Sequence, residues 1–258
     1  MKRIITGLVL ITVGGYVLIN GALPLMLFLM LIGSLAFYEI RSITDLKSNV
    51  TMVANIVFYL VTMAYIYLFD VQFNKPYVIL MGIFMAIYLA EYVKKSLLFR
   101  TQPFLNNLKY FSYVFFGFSS IYLIRESQNG LLLIGVFFLS IWATDVFAYY
   151  GGRTFGKTPL SSVSPKKTVE GTVSGVLAAG LIIFGLCKVY DLSYIFVFAA
   201  FIIGLMGQLG DLYESLIKRT HNVKDSSNLL PGHGGILDRA DSSLFVAPIV
   251  YAMVLLFL

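Results

Sequence analysis

The sequence predicts an all-α polytopic membrane protein with about nine transmembrane helices and a cytoplasmic N-terminus. Three observations carry that prediction. Of the 258 residues, 59% are hydrophobic and only 12% charged, about half the ~25% charge of a soluble domain. Mean hydropathy is +0.85. Apolar runs near the ~20 residues needed to cross a bilayer recur along the whole chain. The single cysteine excludes an intrachain disulfide and a Cys-rich zinc site. Seven prolines without low-complexity tracts argue against disorder. A secreted enzyme, a soluble nucleic-acid binder and a disulfide-stapled scaffold are thereby excluded.

The runs fall at residues 4–19, 22–38, 51–69, 77–92, 111–124, 131–150, 169–188, 192–209 and 243–258. The first follows Met1-Lys2-Arg3 as a signal peptide would, but no small-residue cleavage site comes after it, so it reads as a retained helix. Only Asn20-Gly21 separates it from the second. The seventh carries a small-residue face, Gly171, Ser174, Gly175, Ala178 and Ala179, which suits close helix packing. Trp142 and the tyrosines suit interfacial or core positions.

Alternating the runs from a cytoplasmic N-terminus puts 16 of the 19 basic residues inside: Lys2, Arg3, Arg41, Lys47, Lys94, Lys95, Arg100, Lys109, Arg153, Lys157, Lys166, Lys167, Lys218, Arg219, Lys224 and Arg239. Only Lys75, Arg125 and Lys188 fall outside, the asymmetry of positive-inside proteins. Membrane topology and an anionic ligand then explain the net +6 without a nucleic acid. Asn49-Val50-Thr51 is a formal glycosylation sequon on the cytoplasmic face and is discounted.

Function concentrates in the C-terminal half. Residues 1–140 read as spans with short basic loops, and residues 141–258 as a catalytic region with cytoplasmic charged loops at 151–168 and 211–243. Two blocks, 145–171 and 211–243, hold 15 of the 32 charges and both histidines. Positive-inside loops need no acids, so the interspersed carboxylates require another reason. Asp211, Glu214, Ser215 and Lys218 share one face of a helix continuing out of the eighth run. Pro231, Gly232, Gly234 and Gly235 allow a tight turn with close backbone approach to a ligand. Asp211 with Asp238 or Asp241 offers oxygen ligands to a hard cation such as Mg²⁺; a solvated, salt-bridged loop fits the same residues.

In the first block, residues 151–158 match G-x-x-x-x-G-K-[ST] literally. A P-loop needs a strand and a helix of a soluble α/β domain, and none fits here. The glycines are expected to let a loop fold tightly at the membrane surface, with Lys157 within reach of phosphate. Ser164-Pro165-Lys166-Lys167-Thr168 suits a phosphate or an anionic headgroup. His233 suits a base, a phosphate donor or a turn residue alike.

Residues 215–241, from Ser215 through Lys218-Arg219, Lys224-Asp225 and Pro231-Gly-His233-Gly234-Gly235 to Asp238-Arg239-Ala-Asp241, resemble the signature of phosphatidate cytidylyltransferases, also called CDP-diacylglycerol synthases. Asp145, Ala148-Tyr149, Gly152, Gly156-Lys157, Ser164 through Thr168 and Glu170-Gly171 are similar to the same family, whereas the N-terminal half matches only in character. The resemblance implies CTP and phosphatidate as substrates, CDP-diacylglycerol and pyrophosphate as products, and Mg²⁺ as cofactor. It also suggests a second, monovalent cation and a homodimer in the cell (inner) membrane, with the active site facing the cytoplasm.

Carried over, the metal carboxylates are Asp211 and Asp238, with Asp241 nearby. The candidates for clamping charge are Lys166, Lys167 and Arg239, together with Lys218, Arg219 and Lys224. Ser164, Lys157, Ser215, Lys218, Arg219, Lys224, Asp225, His233, Gly234 and Gly235 are the substrate-binding candidates. Rival readings are another CTP-dependent lipid enzyme (like CDP-archaeol synthase or polyprenol kinase) and an anion transporter. A transporter would place its polar residues at the membrane midplane.

Overall fold

The computed structural model describes residues 2–44, 48–69, 75–94 and 102–257. Among them the chain forms nine helices: α1 Lys2–Asn20, α2 Ala22–Ile43, α3 Asn49–Leu68, α4 Lys75–Lys94, α5 Pro103–Glu126, α6 Gly130–Phe155, α7 Val169–Tyr190, α8 Ile195–Thr220 and α9 Leu237–Phe257. Lys47, Lys95 and Arg100 of the predicted inner segments lie outside the described residues, as do the side chains of Lys2, Arg3 and Lys75. The division at residue 140 falls within α6.

Seven of these helices, α2, α3, α4, α6, α7, α8 and α9, are long and apolar enough to cross a membrane. The other two expected spans, α1 and α5, fall outside that set. For α1 the described side chains begin at Thr6, and the stretch Thr6–Asn20 is apolar. In α5 the polar content is high because the helix is shielded, packing against α2, α6 and α9 with Tyr110, Tyr113, Val114, Phe118, Ile121 and Ile124 buried. Its polar groups find partners inside the protein. Asn107 pairs with Asn55 of α3 at 2.7 Å, and Lys109 with Glu91 of α4 at 2.9 Å. The hydroxyls of Ser112 and Ser119 meet those of Tyr88 and Tyr77 at 2.7 and 2.9 Å. A buried polar group is tolerated when it is so satisfied.

The break between α1 and α2 is held from outside. Gly21 takes φ 61, and the end of α5 closes over it. Arg125 donates from Nε to Leu18 O (2.5 Å) and from Nη2 to Ile19 O (2.6 Å), answering the orphan carbonyls of α1. Glu126 Oε1 accepts the N–H of Ala22 at 2.8 Å, at the start of α2. A Cβ on Gly21 would stand 2.7 Å from that carboxylate, so the position needs glycine twice over.

The closest helix pair is α6 with α7. A side chain on Gly151 would overlap Ser174, and one on Gly175 would overlap the carbonyl of Thr144. The small-residue face of α7 therefore packs against α6, as its composition predicted. The glycines at 151 and 152 correct one expectation: they are helical, and α6 runs on to Phe155. The connecting loops are accordingly shorter than the charged blocks, spanning 156–168 and 221–236, because α8 continues to Thr220 and α9 starts at Leu237.

Both α6 and α8 have 26 residues, so each is ~39 Å long at ~1.5 Å per residue, against a hydrocarbon core of ~30 Å. Their surplus turns lie at one end of the bundle. The end of α2, the N-terminus of α9 and both long loops gather there through contacts described below. The junction of α1, α2 and α5 at Gly21 lies at the other end.

Candidate active site

Ser164-Pro165-Lys166-Lys167 folds as a four-residue turn closed by Lys167 N–H to Ser164 O at 3.1 Å, with proline in its favoured second place. The turn is held at its base by Leu160 N–H to Lys167 O (2.8 Å) and Val169 N–H to Thr158 O (2.9 Å). It gives the two adjacent lysines opposite fates: Lys166 is exposed, while Lys167 points inward. The Lys167 ammonium stands 2.5 Å from Asp211 Oδ2 and donates to Gln208 Oε1 at 3.2 Å. Gln208 Nε2 in turn donates to Asp145 Oδ1 at 3.2 Å, and Ser215 Oγ to Asp211 Oδ1 at 3.3 Å. Asp241 of α9 lies within electrostatic reach of Asp211, Asp145 and Lys167. Four elements thus converge on one lysine among three acids.

Beside it lies a second cluster, one to two turns further along α8. Lys218, buried, stands 2.5 Å from Glu214 Oε2 and 2.7 Å from Asp238 Oδ1. The other oxygen of Asp238 accepts three donors: Ser226 N–H (2.8 Å), Ser226 Oγ (3.0 Å) and Gly235 N–H (2.8 Å). This carboxylate ties the two arms of the 221–236 loop together. Pro231 and Gly232 (φ 80) make a type II turn closed by His233 N–H to Leu230 O at 2.8 Å. Gly234, at φ 83, passes so close to Asp238 that a Cβ would stand 2.6 Å from Oδ2. The turn also touches α1, where Thr6 Oγ1 donates to Pro231 O at 3.1 Å.

Asp211 and Asp238 are each answered by a different lysine, and no described hydrogen bond or ion pair joins them. The structure sets Asp211 with Asp145 and Asp241, and Asp238 with Lys218 and the loop backbone. Of the remaining candidates, Lys157, Arg219, Lys224, Asp225 and Arg239 are exposed and form a largely basic rim with Lys166. Two of these guanidinium groups are steadied by carbonyls, Arg239 by His233 O at 2.8 Å and Arg219 by Val223 O at 3.1 Å. Ser164 and His233 are half-buried turn residues. The backbone also disposes of the P-loop: the N–H groups of Lys157 and Thr158 are taken by the Glu170 carboxylate at 3.1 and 3.2 Å.

With this geometry the sequence matches the cytidylyltransferase family over residues 1–257. The chain belongs to the cytidylyltransferase family. Among its relatives, the phosphatidate cytidylyltransferase of Bacillus subtilis (strain 168) is 33% identical across 99% of this chain and 98% of that protein. That of Staphylococcus saprophyticus is 34% identical across 96% of each. That of Helicobacter pylori (strain J99) is 34% identical across 95% of this chain and 88% of its own.

In this cytidylyltransferase the acids suit an oxygen-seeking cation by donor type, and the ammonium of Lys167 already stands among them as a positive charge. Among the described residues no three acidic, histidine or cysteine side chains close round one point. Sequence reasoning missed four contributors. Gln208 bridges Lys167 to Asp145. Tyr113 of α5 donates to Asp241 O at 3.2 Å, and Tyr213 of α8 donates to Glu91 at 2.8 Å. Glu39 of α2 accepts four donors from the 221–236 loop and the start of α9. A readable signal existed for Glu39 and Glu91: an acid within or beside a membrane run is expensive unless it has a job.

Proposed function

We propose that this chain is a phosphatidate cytidylyltransferase, transferring the cytidylyl group of CTP to phosphatidate and releasing pyrophosphate. The observation that carries the reading is the 33% identity to the Bacillus subtilis enzyme over 99% of this chain and 98% of that protein. The clustering of acids and lysines at one end of the bundle agrees with it, and fits a transporter with midplane ligands poorly.

The chemistry needs charge control more than proton transfer. A phosphate oxygen of phosphatidate attacks the α-phosphorus of CTP, forming a new P–O bond. The bond to the bridging oxygen breaks and its electron pair leaves with pyrophosphate. Two anions must meet in line, so positively charged groups that hold and neutralise them dominate the rate. Lys166 and the rim of Lys157, Arg219, Lys224 and Arg239 receive the phosphates, while Lys167 leaves Asp211 for a phosphate oxygen. Bound Mg²⁺ supplies further positive charge for the displacement. Asp211 and Asp241 would hold it, with Asp145 beside them, while Asp238 in the neighbouring cluster is answered by Lys218. The family resemblance supports a monovalent second cation and a homodimer, and the basic-residue distribution supports a cytoplasmic site.

The deciding experiment incubates purified protein in detergent with labelled CTP, phosphatidate and Mg²⁺ and follows label into lipid. CDP-diacylglycerol is the expected product. Label transferred to a polyprenol or an archaeal ether lipid instead, or to no lipid, would overturn the reading.

A further inference from the structure

We propose that Glu39, on a helix outside the signature, is a positioning residue for this reaction: it sets where Asp238 and Asp241 stand by capping α9 from α2. The inference rests on the cytidylyltransferase reading for its reaction and on contacts alone for its geometry. Glu39 is completely buried, and four groups donate to its two oxygens. Ser227 Oγ (2.6 Å) and Ile236 N–H (2.8 Å) reach Oε1; Ser226 Oγ (3.0 Å) and Leu237 N–H (2.8 Å) reach Oε2.

Two features make this more than a satisfied buried acid. First, the N–H groups of Ile236 and Leu237 are orphan donors at the start of α9, where the helix dipole favours an anion. That job usually falls to a local cap, yet here it falls to a carboxylate 197 residues away. Asp238 and Asp241 follow within the next turn, so the direction in which α9 sets off is the direction in which both acids are delivered. Second, Ser226 Oγ lies 3.0 Å from Glu39 Oε2 and 3.0 Å from Asp238 Oδ2. A hydroxyl has one hydrogen to give, so the two carboxylates compete for it, and a change at one is felt at the other. Gly235 seals the arrangement, because a side chain there would overlap both Ser226 Oγ and Glu39.

The test compares wild type, Glu39→Gln and Ser226→Ala as purified full-length protein. It measures kcat and KM for both substrates, and hydrogen exchange along the chain. Glu39→Gln keeps the shape but turns an amide N–H₂ toward one backbone N–H and one serine hydroxyl. Its kcat should fall by about tenfold or more, as small misplacements of reacting groups do, with KM for CTP and phosphatidate within about twofold because the rim is untouched. Exchange should quicken in residues 226–241 and stay unchanged in α6 and α7. A kcat near wild type overturns the proposal, and so does faster exchange throughout α6–α9, the mark of general packing. If Glu39→Gln cannot be purified, Ser226→Ala decides: a lowered kcat with intact α6–α7 protection supports the coupling, and wild-type kcat overturns it. Should wild type make no CDP-diacylglycerol, the functional reading fails by itself, and local exchange still judges the capping.

Discussion

Lys167 and Asp211 meet at 2.5 Å across the join of a surface turn and a long membrane helix. The lysine next door, Lys166, is exposed. Removing them should therefore have unequal effects. Lys167→Ala should lower kcat by ~10²–10³, the scale of losing one charge-stabilising group in a water-poor site. Lys166→Ala should act mainly on KM for CTP. Because the nucleophile arrives ionised, His233→Ala should keep most of its turnover. Steady-state kinetics on the three variants checks the order, and a dead His233→Ala beside an active Lys167→Ala would refute the charge-clamp chemistry.

The two signature acids should fail in different ways. Asp211 is partly open and bonded only to side chains, so Asp211→Asn should abolish activity with unfolding temperature little changed. Asp238 has four donors on its carboxylate, including two loop N–H groups and the buried Lys218. Asp238→Asn should lose activity and also about 2–3 kcal/mol of stability, from the broken ion pair and the N–H groups left facing an amide. Raising Mg²⁺ should rescue Asp211→Asn in part and Asp238→Asn hardly at all. Thermal unfolding in detergent beside a Mg²⁺ titration separates the two.

At the opposite end of the bundle, Arg125→Ala should cost stability and leave chemistry alone. It strips the cap from α1, worth about 1–3 kcal/mol for hydrogen bonds to a charged donor, some distance from every candidate site residue. A lower unfolding temperature with unchanged kcat is the expected pair of results. A change in kcat would show that the two ends of the bundle are coupled.

Orientation is testable by labelling. Cys187 is buried, so cysteines introduced at the exposed Ser162 and Asn228 should report on a quiet background. Both should react in inverted vesicles and resist an impermeant reagent applied to intact cells. Labelling from outside would reverse the topology read from the basic residues.

Much of this was legible from the chain itself. Hydropathy located the nine helices of the described residues, seven of them long and apolar enough to cross a membrane, and the i, i+3, i+4, i+7 spacing put Asp211, Glu214, Ser215 and Lys218 on α8 as observed. Three things were hidden. The glycines at 151 and 152 read as loop formers, because nothing local reveals that Ser174 of α7 needs the space. The pairing of Asp211 with Lys167 instead of Asp238 depends on how α7, α8 and α9 meet, which no spacing encodes. Glu39 and Glu91 act on partners more than a hundred residues away, Ile236 and Tyr213. The predicted second run stopped at Tyr38, one residue short of Glu39.

The polarity of α5 bears on how the chain is made. A helix carrying Asn107, Lys109 and several serines gains little by entering lipid alone, since each polar group there is costly until it meets a partner. Asn55 and Glu91 have already been synthesised when α5 emerges, but α9, which packs extensively along it, is made only after α6, α7 and α8. Integration cannot then be a simple succession of independent insertions. The early helices must hold a place for α5, and the bundle locks only when α9 arrives, so a chain cut short before Leu237 would be left with an unsheltered polar helix for the quality-control machinery to find.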